Sequence, residues 1–340
     1  MRKRLPLFGI LLAAVVAGGA LGAAPRGPTL TEVRFGTNWL AEGEHGGYYQ
    51  AVADGTYEKY GLKVTIVQGG PNSPNRALLL SGQIDFYMAG NMLGPLNAHE
   101  QQIPVVEVAA IFQKDPQVFL VHPDQGIETF ADMAKLPTIF LGDEGFASFF
   151  QWMKWQYPGF RDEQYKRYSF APGPFVVDKR SAMQGYVTSE PYAVEQASGI
   201  KPKLFLLADA GWNTPSTLIE GKRDYVDRNP DLVQRFVDAS IVGWYNYLYG
   251  DNRAANALIK KDNPDMSDGQ LAFTLAKMKE HGLVDSGIAA TKGIGCFDDA
   301  QLASFYDQMV KSGVLKAGLD VKSTYSNRFV CKGVGLDLRK

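Results

Sequence analysis

Asn38-Trp39, His45 and Tyr48 lie within a short stretch near the start of the chain, and their side chains suit ligand recognition better than bond cleavage. The Trp39 indole can lie flat against a ligand ring, worth about 0.5–1.5 kcal/mol beyond the area buried. Its alternative place is the interior. Asn38 and Asn91 each offer a donor and an acceptor, which suits the edge of a nitrogen heterocycle; Asn38 otherwise shapes a turn. His45 stands where a helix begins, a position that lowers the pKa of a nearby cation and favours a neutral imidazole. The alternative is a helix-entry residue bonded to backbone. Tyr48 follows one helical turn later, facing the same site or packing in the core. Glu190 precedes Pro191 and is either a cleft carboxylate that accepts from amino or ring N–H groups, or a solvated helix-start residue.

Further candidates come from loop positions. Gly69-Gly70 either lets a ligand approach the backbone closely or only makes a turn. Tyr87 and Met88 alternate across a strand end, so one faces the ligand side and Tyr87 is the better choice. Gln113 falls on a chain crossing, as a hinge contact or a solvated residue. Ser148 is a candidate N-cap for a helix whose free N–H groups face a ligand, or an ordinary cap. Tyr186 is either a site residue or core.

These positions need strands to carry them. Val33–Gly36, Lys63–Gln68, Ile84–Met88, Val105–Phe112 and Val118–His122 read as strands. Gly46–Tyr60 and Arg76–Ser81 read as helices between them. The rhythm predicts an α/β fold with a parallel sheet flanked by helices. A second block follows. Thr138–Leu141, Gly185–Thr188 and Lys203–Ala208 read as strands; Thr129–Ala134, Phe149–Gln156 and Lys179–Gln184 read as helices. The remainder is helical, led by Asp231–Tyr249 after Asn229-Pro230. Those late helices need a sheet to cover, so the second block becomes an insertion in the first. The chain then crosses twice, near 112–121 and 208–218, giving a two-segment hinge with a cleft between lobes. The expected division is 25–116 with 213–340 for lobe 1 and 117–212 for lobe 2. In open α/β sheets ligands sit beyond the carboxyl ends of strands, where Asn38-Trp39, Gly69-Gly70 and Tyr87–Asn91 fall.

Composition narrows the classes. The chain has 340 residues, 45% hydrophobic and 21% charged, which is globular. Its 35 basic and 36 acidic residues leave no basic excess for a phosphate backbone, so nucleic acid is not an expected partner. Two Cys and four His exclude a Cys-rich zinc or iron–sulfur site by count. Arg2-Lys3-Arg4, an apolar run to about Gly19 and small residues to Ala24 read as a secretory signal peptide, residues 1–24, cleaved near 22–24. An uncleaved anchor is the alternative. Export would place the mature chain in the periplasm with 32 basic and 36 acidic residues. An oxidising compartment permits a bridge between Cys296 and Cys331; two buried thiols are the alternative. Gly-x-Ser-x-Gly, His-Glu-x-x-His and P-loop patterns are absent, and no cofactor is called for.

Phe35–Trp39, Glu44–Tyr49, Ala53–Tyr57, Gly61–Val64 and Gly69-Gly70-Pro71 occur in an order that resembles one superfamily of substrate-binding proteins of ABC importers, that of nitrate, sulfonate, taurine and thiamine-pyrimidine precursors. Ser81-Gly82-Gln83-Ile84-Asp85-Phe86, Glu190-Pro191-Tyr192 and Asn229-Pro230 are similar to its further elements. The resemblance covers about 33–250. It implies a type II periplasmic-binding fold, a small-molecule solute, an ABC permease as partner and a monomer. The Asn-Trp…His pattern looks most like the pyrimidine-precursor branch. A sulfonate-, nitrate- or taurine-type anion binder is the alternative; it needs cleft cations, with Lys114 the nearest to the first crossing. That branch also contains a pyrimidine-forming enzyme with a cofactor-bearing Lys, a reactive His and a Cys-rich run. Its Lys and His positions fall on about Ala89 and Leu93, and its Cys-rich run near 213–219, where no Cys stands. The expectation is therefore a binding protein and not an enzyme.

Overall fold

The computed structural model describes residues 29–70 and 73–339. The signal-peptide expectation lies outside the described residues. Among the described residues, ten strands form two five-stranded sheets. The first holds β1 (Thr31–Gly36), β2 (Leu62–Val67), β3 (Phe86–Asn91), β4 (Val105–Phe112) and β10 (Ser216–Lys222) in the order β2-β1-β3-β10-β4. The second holds β5 (Gln117–Val121), β6 (Thr138–Leu141), β7 (Tyr165–Arg167), β8 (Ser181–Tyr186) and β9 (Lys203–Leu206) in the order β7-β6-β8-β5-β9. The chain passes from β4 to β5 through 113–116, and returns from β9 to β10 through 207–215. This is the two-lobed α/β architecture that the alternation of strands and helices implies.

Neither sheet is purely parallel. β1, β2 and β3 run parallel, whereas the returning β10 lies antiparallel between β3 and β4. β5 is likewise antiparallel to β8. A strand that enters a sheet straight from a crossing, with no covering helix before it, has no right-handed crossover to keep it parallel. β10 was not expected, because Ser216–Lys222 carries Ser, Thr, Glu, Gly and Lys among few apolar residues. Its Glu220 is fully buried, with the Arg76 guanidinium donating to both carboxylate oxygens at 2.9 and 2.6 Å.

Two further expectations change, and one helix is added. Lys179–Gln184 is not a helix: Ser181–Tyr186 is strand β8, with Ala182 and Met183 buried between β6 and β5. The helix expected over Gly46–Tyr60 is two, Gly46–Ala53 and Thr56–Lys59. Gly55 breaks it with φ +71°, and Asp54 Oδ1 accepts from both the backbone N–H and the hydroxyl of Thr56. A helix at Leu93–Glu100 was not expected.

The long helix Pro230–Tyr249 covers the first sheet. Its Phe236 stacks on Phe86 with centroids 4.5 Å apart. It also sets the start of the functional segment, because Gly46 and Gly47 press directly on it. A Cβ at Gly47 would stand 2.2 Å from the Trp244 ring, and one at Gly46 2.2 Å from the Tyr247 ring. Only glycine allows this approach, and it anchors the segment 37–45 over the carboxyl end of β1. Cys296 and Cys331 are joined by a disulfide, with Cα atoms 4.9 Å apart.

Candidate functional site

The carboxyl ends of the parallel strands of the two sheets face each other. From the first sheet come the segment 37–45 after β1, residues 68–70 and 73–75 after β2 and the end of β3. From the second come 142–148 after β6, 168–170 after β7 and 186–190 after β8. Trp39 and Phe170 meet across the gap, centroids 5.2 Å apart and planes at 53°. A cavity of about 300 Å³ is lined by Asn75, Arg76, Tyr87, Asn91 and Glu144 among others, so that Glu144 of the second unit meets residues of the first.

The chemistry of this space is acidic and aromatic. The Glu190 carboxylate turns back to accept the Tyr186 backbone N–H at 2.6 Å. Burial pushes its pKa up to about 7, with a further rise from Glu44; the backbone N–H groups it accepts from oppose this. Asp115 is held by the side chain of Asn91 at 2.7 Å and by the Gln117 backbone N–H at 2.9 Å. Burial lifts it to about 6 against those bonds. Burial raises the pKa of Glu42 as well, and the charges of Glu44 and Glu190 add to it. Burial also raises Glu44, against the hydroxyl that Thr188 donates to it. Tyr186 is the common neighbour: burial raises its phenol first, and the charges of Asp115, Glu42, Glu144 and Glu44 raise it further.

Among the described residues, the cations named for this space are already paired. Arg76 borders the cavity but is paired with Glu220. Lys114, the cation nearest the first crossing by sequence, pairs with Asp209 at 3.2 Å. His45 is fully buried and burial lowers its pKa to about 3, so it is neutral. Its Nε2 is 3.3 Å from Asn38 Oδ1 and donates to it, while Nδ1 is buried without a partner.

The structure brings Asn38, Trp39, Tyr87, Asn91, Tyr186 and Glu190 to this gap. Gly70 lies at its rim, where a Cβ would meet nothing closer than 3.6 Å. His45 stands behind Asn38 and orients its amide. Four expected residues are elsewhere or otherwise engaged. Tyr48 is core: its ring is 4.3 Å from Phe35 and 5.8 Å from Trp244. Gly69 supports the β1 loop, since a Cβ there would lie 2.2 Å from the Thr37 carbonyl oxygen, and its N–H donates to the Trp39 carbonyl at 3.1 Å. Gln113 is buried and donates to the Ala110 and Cys296 carbonyls at 2.8 and 3.1 Å, which ties the first crossing to its own unit. Ser148 stands at the N-cap position of the helix Phe149–Gln156, as expected, but its hydroxyl donates to the Glu144 carbonyl at 2.6 Å and caps none of that helix's N–H groups. Five site residues were not singled out: Glu42, Glu44, Asp115, Glu144 and Phe170. Glu144 lies on the helix Asp143–Ala147 just after β6, and Asp115 on the first crossing, so position alone marks those two. Nothing in the sequence marks Phe170.

With the fold and site in view, comparison with known proteins defines the class. The chain matches the NMT1/THI5-like family over residues 42–254, and it belongs to that family. It has the fold of periplasmic binding proteins. It is 25% identical over 313 residues to the riboflavin-binding protein RibY of Chloroflexus aurantiacus, covering 90% of this chain and 88% of that one. A putative periplasmic sulfonate-binding protein, SsuA of Methylobacillus flagellatus KT, superposes with TM-score 0.63 at 16% identity, over 91% of this chain and 96% of the other. The desulfurization enzyme DSZB has the fold too, with TM-score 0.55 at 13% identity, over 88% of this chain and 97% of the other.

Proposed function

We propose that this chain is the solute-binding component of an ABC importer and captures a heteroaromatic solute rich in hydrogen-bond donors. Residues 1–24 are its export signal, 25–116 with 213–340 its first lobe, and 117–212 its second. The lobes close on the solute by bending at the two crossings, and the closed monomer docks on a membrane permease. The protein binds and does not transform its solute; the neutral, buried His45 orients Asn38 in place of doing proton chemistry.

One observation carries the choice of solute. Glu42, Glu44, Glu144, Glu190 and Asp115 surround the gap, while Arg76 and Lys114 are already paired. A cluster of carboxyl groups without a free cation offers sulfonate or nitrate no countercharge, and its oxygens accept from amino, ring N–H and hydroxyl groups. Trp39, Tyr87 and Tyr186 supply flat faces for the ring. Both an aminopyrimidine precursor of thiamine and a flavin answer this description, and the riboflavin-binding relative favours including the second.

A thermal-shift panel of hydroxymethyl-aminopyrimidine, riboflavin, taurine and nitrate tests the reading. A ligand at 100 times its Kd stabilises by about 2.7 kcal/mol. The expected result is a rise of several degrees with a heterocycle and none with the anions. Stabilisation by taurine or nitrate alone would overturn it.

A further inference from the structure

We propose that Phe170 is the gate of the cleft, a side chain that closes the mouth against Trp39 and governs how fast a bound solute leaves. The assignment of the cleft rests on the function proposed above; the gate itself rests on four observations.

Phe170 comes from the second unit and Trp39 from the first, so their contact at 5.2 Å exists only while the two units are close. The pair is too tight to hold a ligand between its rings. A third ring would need about 7 Å, two stacking distances of roughly 3.5 Å. The rings therefore shut a space and do not sandwich its contents.

Phe170 is also 52% exposed, which for an aromatic ring is a loss of burial that packing elsewhere would recover. Its backbone has φ +58°, the left-handed region that bulky residues rarely enter. An apolar ring held at the surface on a strained backbone is poised for a purpose other than stability. The ring rests against Tyr168 at 5.3 Å and would be 3.6 Å from a Cβ at Gly142, so it lies over the turn that leads to Glu144. One side chain thus touches Trp39, the β6 turn and the β7 end at once.

The gate is testable without a ligand. Trp152, Trp212 and Trp244 are fully buried, which leaves Trp39 and Trp155 as the tryptophans within reach of an aqueous quencher. In a Trp155→Phe background, acrylamide quenching reports Trp39. Phe170→Ala should raise the Stern–Volmer constant about twofold, and Phe170→Tyr should leave it near the parent value. Because the side chain is exposed, both variants should melt within a few degrees of the parent. An unchanged constant in Phe170→Ala would overturn the gate. A second arm uses riboflavin as the probe and stopped-flow fluorescence. Phe170→Ala should release it roughly tenfold faster with association little changed, as is usual for a contact made after encounter. Equal release rates would overturn the gate as well. If riboflavin fails to bind the parent protein, this solute is rejected while the quenching arm still decides the role of Phe170.

Discussion

Glu190 accepts the backbone N–H of Tyr186 at 2.6 Å, across the turn that joins strand β8 to the helix Glu190–Ser198. A Cβ at Gly185 would stand 2.7 Å from the Glu190 Cβ, so glycine is what lets the side chain fold back. The bond fixes one carboxylate oxygen on the protein and leaves the carboxylate beside Glu44, Glu42 and the Tyr168 phenol. Solute recognition and acid–base behaviour are consequently properties of the same turn.

Glu190 should make stability fall as pH rises. Its pKa goes from an ordinary 4.5 to about 7 on folding. Between those values the folded protein holds a proton that the unfolded chain has released, so stability is lost with rising pH through that window and levels off above it. Asp115, raised from 3.8 to about 6, adds a loss of the same sign at lower pH. Glu190→Gln should flatten the upper part of the curve and raise stability at pH 8 by on the order of 1–3 kcal/mol. Urea unfolding of parent and variant at pH 5, 6.5 and 8 checks this, and an unaltered pH slope would refute it.

Trp39 and Trp244 should separate affinity from stability. Trp39 is half-buried at the cleft mouth, whereas Trp244 is wholly enclosed by Tyr48, Phe112 and Tyr247. Trp39→Ala should weaken solute binding by about 2–4 kcal/mol, with only a small fall in the melting temperature of the free protein. Trp244→Ala should cost about 3–5 kcal/mol in stability. Calorimetric titration beside thermal melts distinguishes them; a collapse of the Trp39 variant on melting would place that ring in the core.

Arg76 should be harder to remove than Glu107. Glu107 and Glu220 are paired across β4 and β10, both fully buried. Burial raises the Glu107 pKa well above the usual carboxyl range, and the charge of Glu220 raises it further. The neutral Glu107 leaves one anion for Arg76. Arg76→Ala strands that anion and should destabilise by about 3–5 kcal/mol. Glu107→Gln keeps the charge count and should change stability by less than about 1 kcal/mol. Denaturant midpoints give both numbers, and a costly Glu107→Gln would show that Glu107 is ionised.

The Cys296–Cys331 bridge closes a segment of 35 residues. On chain-entropy grounds its loss should cost about 3–4 kcal/mol. The double variant Cys296→Ser, Cys331→Ser should melt lower than the parent, and dithiothreitol should abolish the difference. Identical melting of oxidised parent and double variant would contradict this.

The alternation of apolar strands with helices, the two crossings and the glycine-rich loops are local signals, and from them the two-lobed α/β fold and the carboxyl end of β1 could be read directly. Asn38, Trp39 and Glu190 could be placed near the gap because each lies within a few residues of a strand end, and Tyr87 because it lies within β3. Tertiary structure decided the rest. Tyr48 looks like a site residue one turn beyond His45, yet the helix Gly46–Ala53 turns that face onto Phe35 and Trp244, because Gly46 and Gly47 let it press against Pro230–Tyr249. Lys179–Gln184 has helical composition, but pairing on both sides between β5 and β6 outweighs local propensity and makes Ser181–Tyr186 a strand. Ser216–Lys222 has too few apolar residues to read as a buried strand, and becomes one because Arg76, distant in sequence, neutralises Glu220. The acidic cluster and the Trp39–Phe170 contact join residues from different lobes. Burial and through-space charge, which set their chemistry, depend on distances that the order of residues along the chain does not contain.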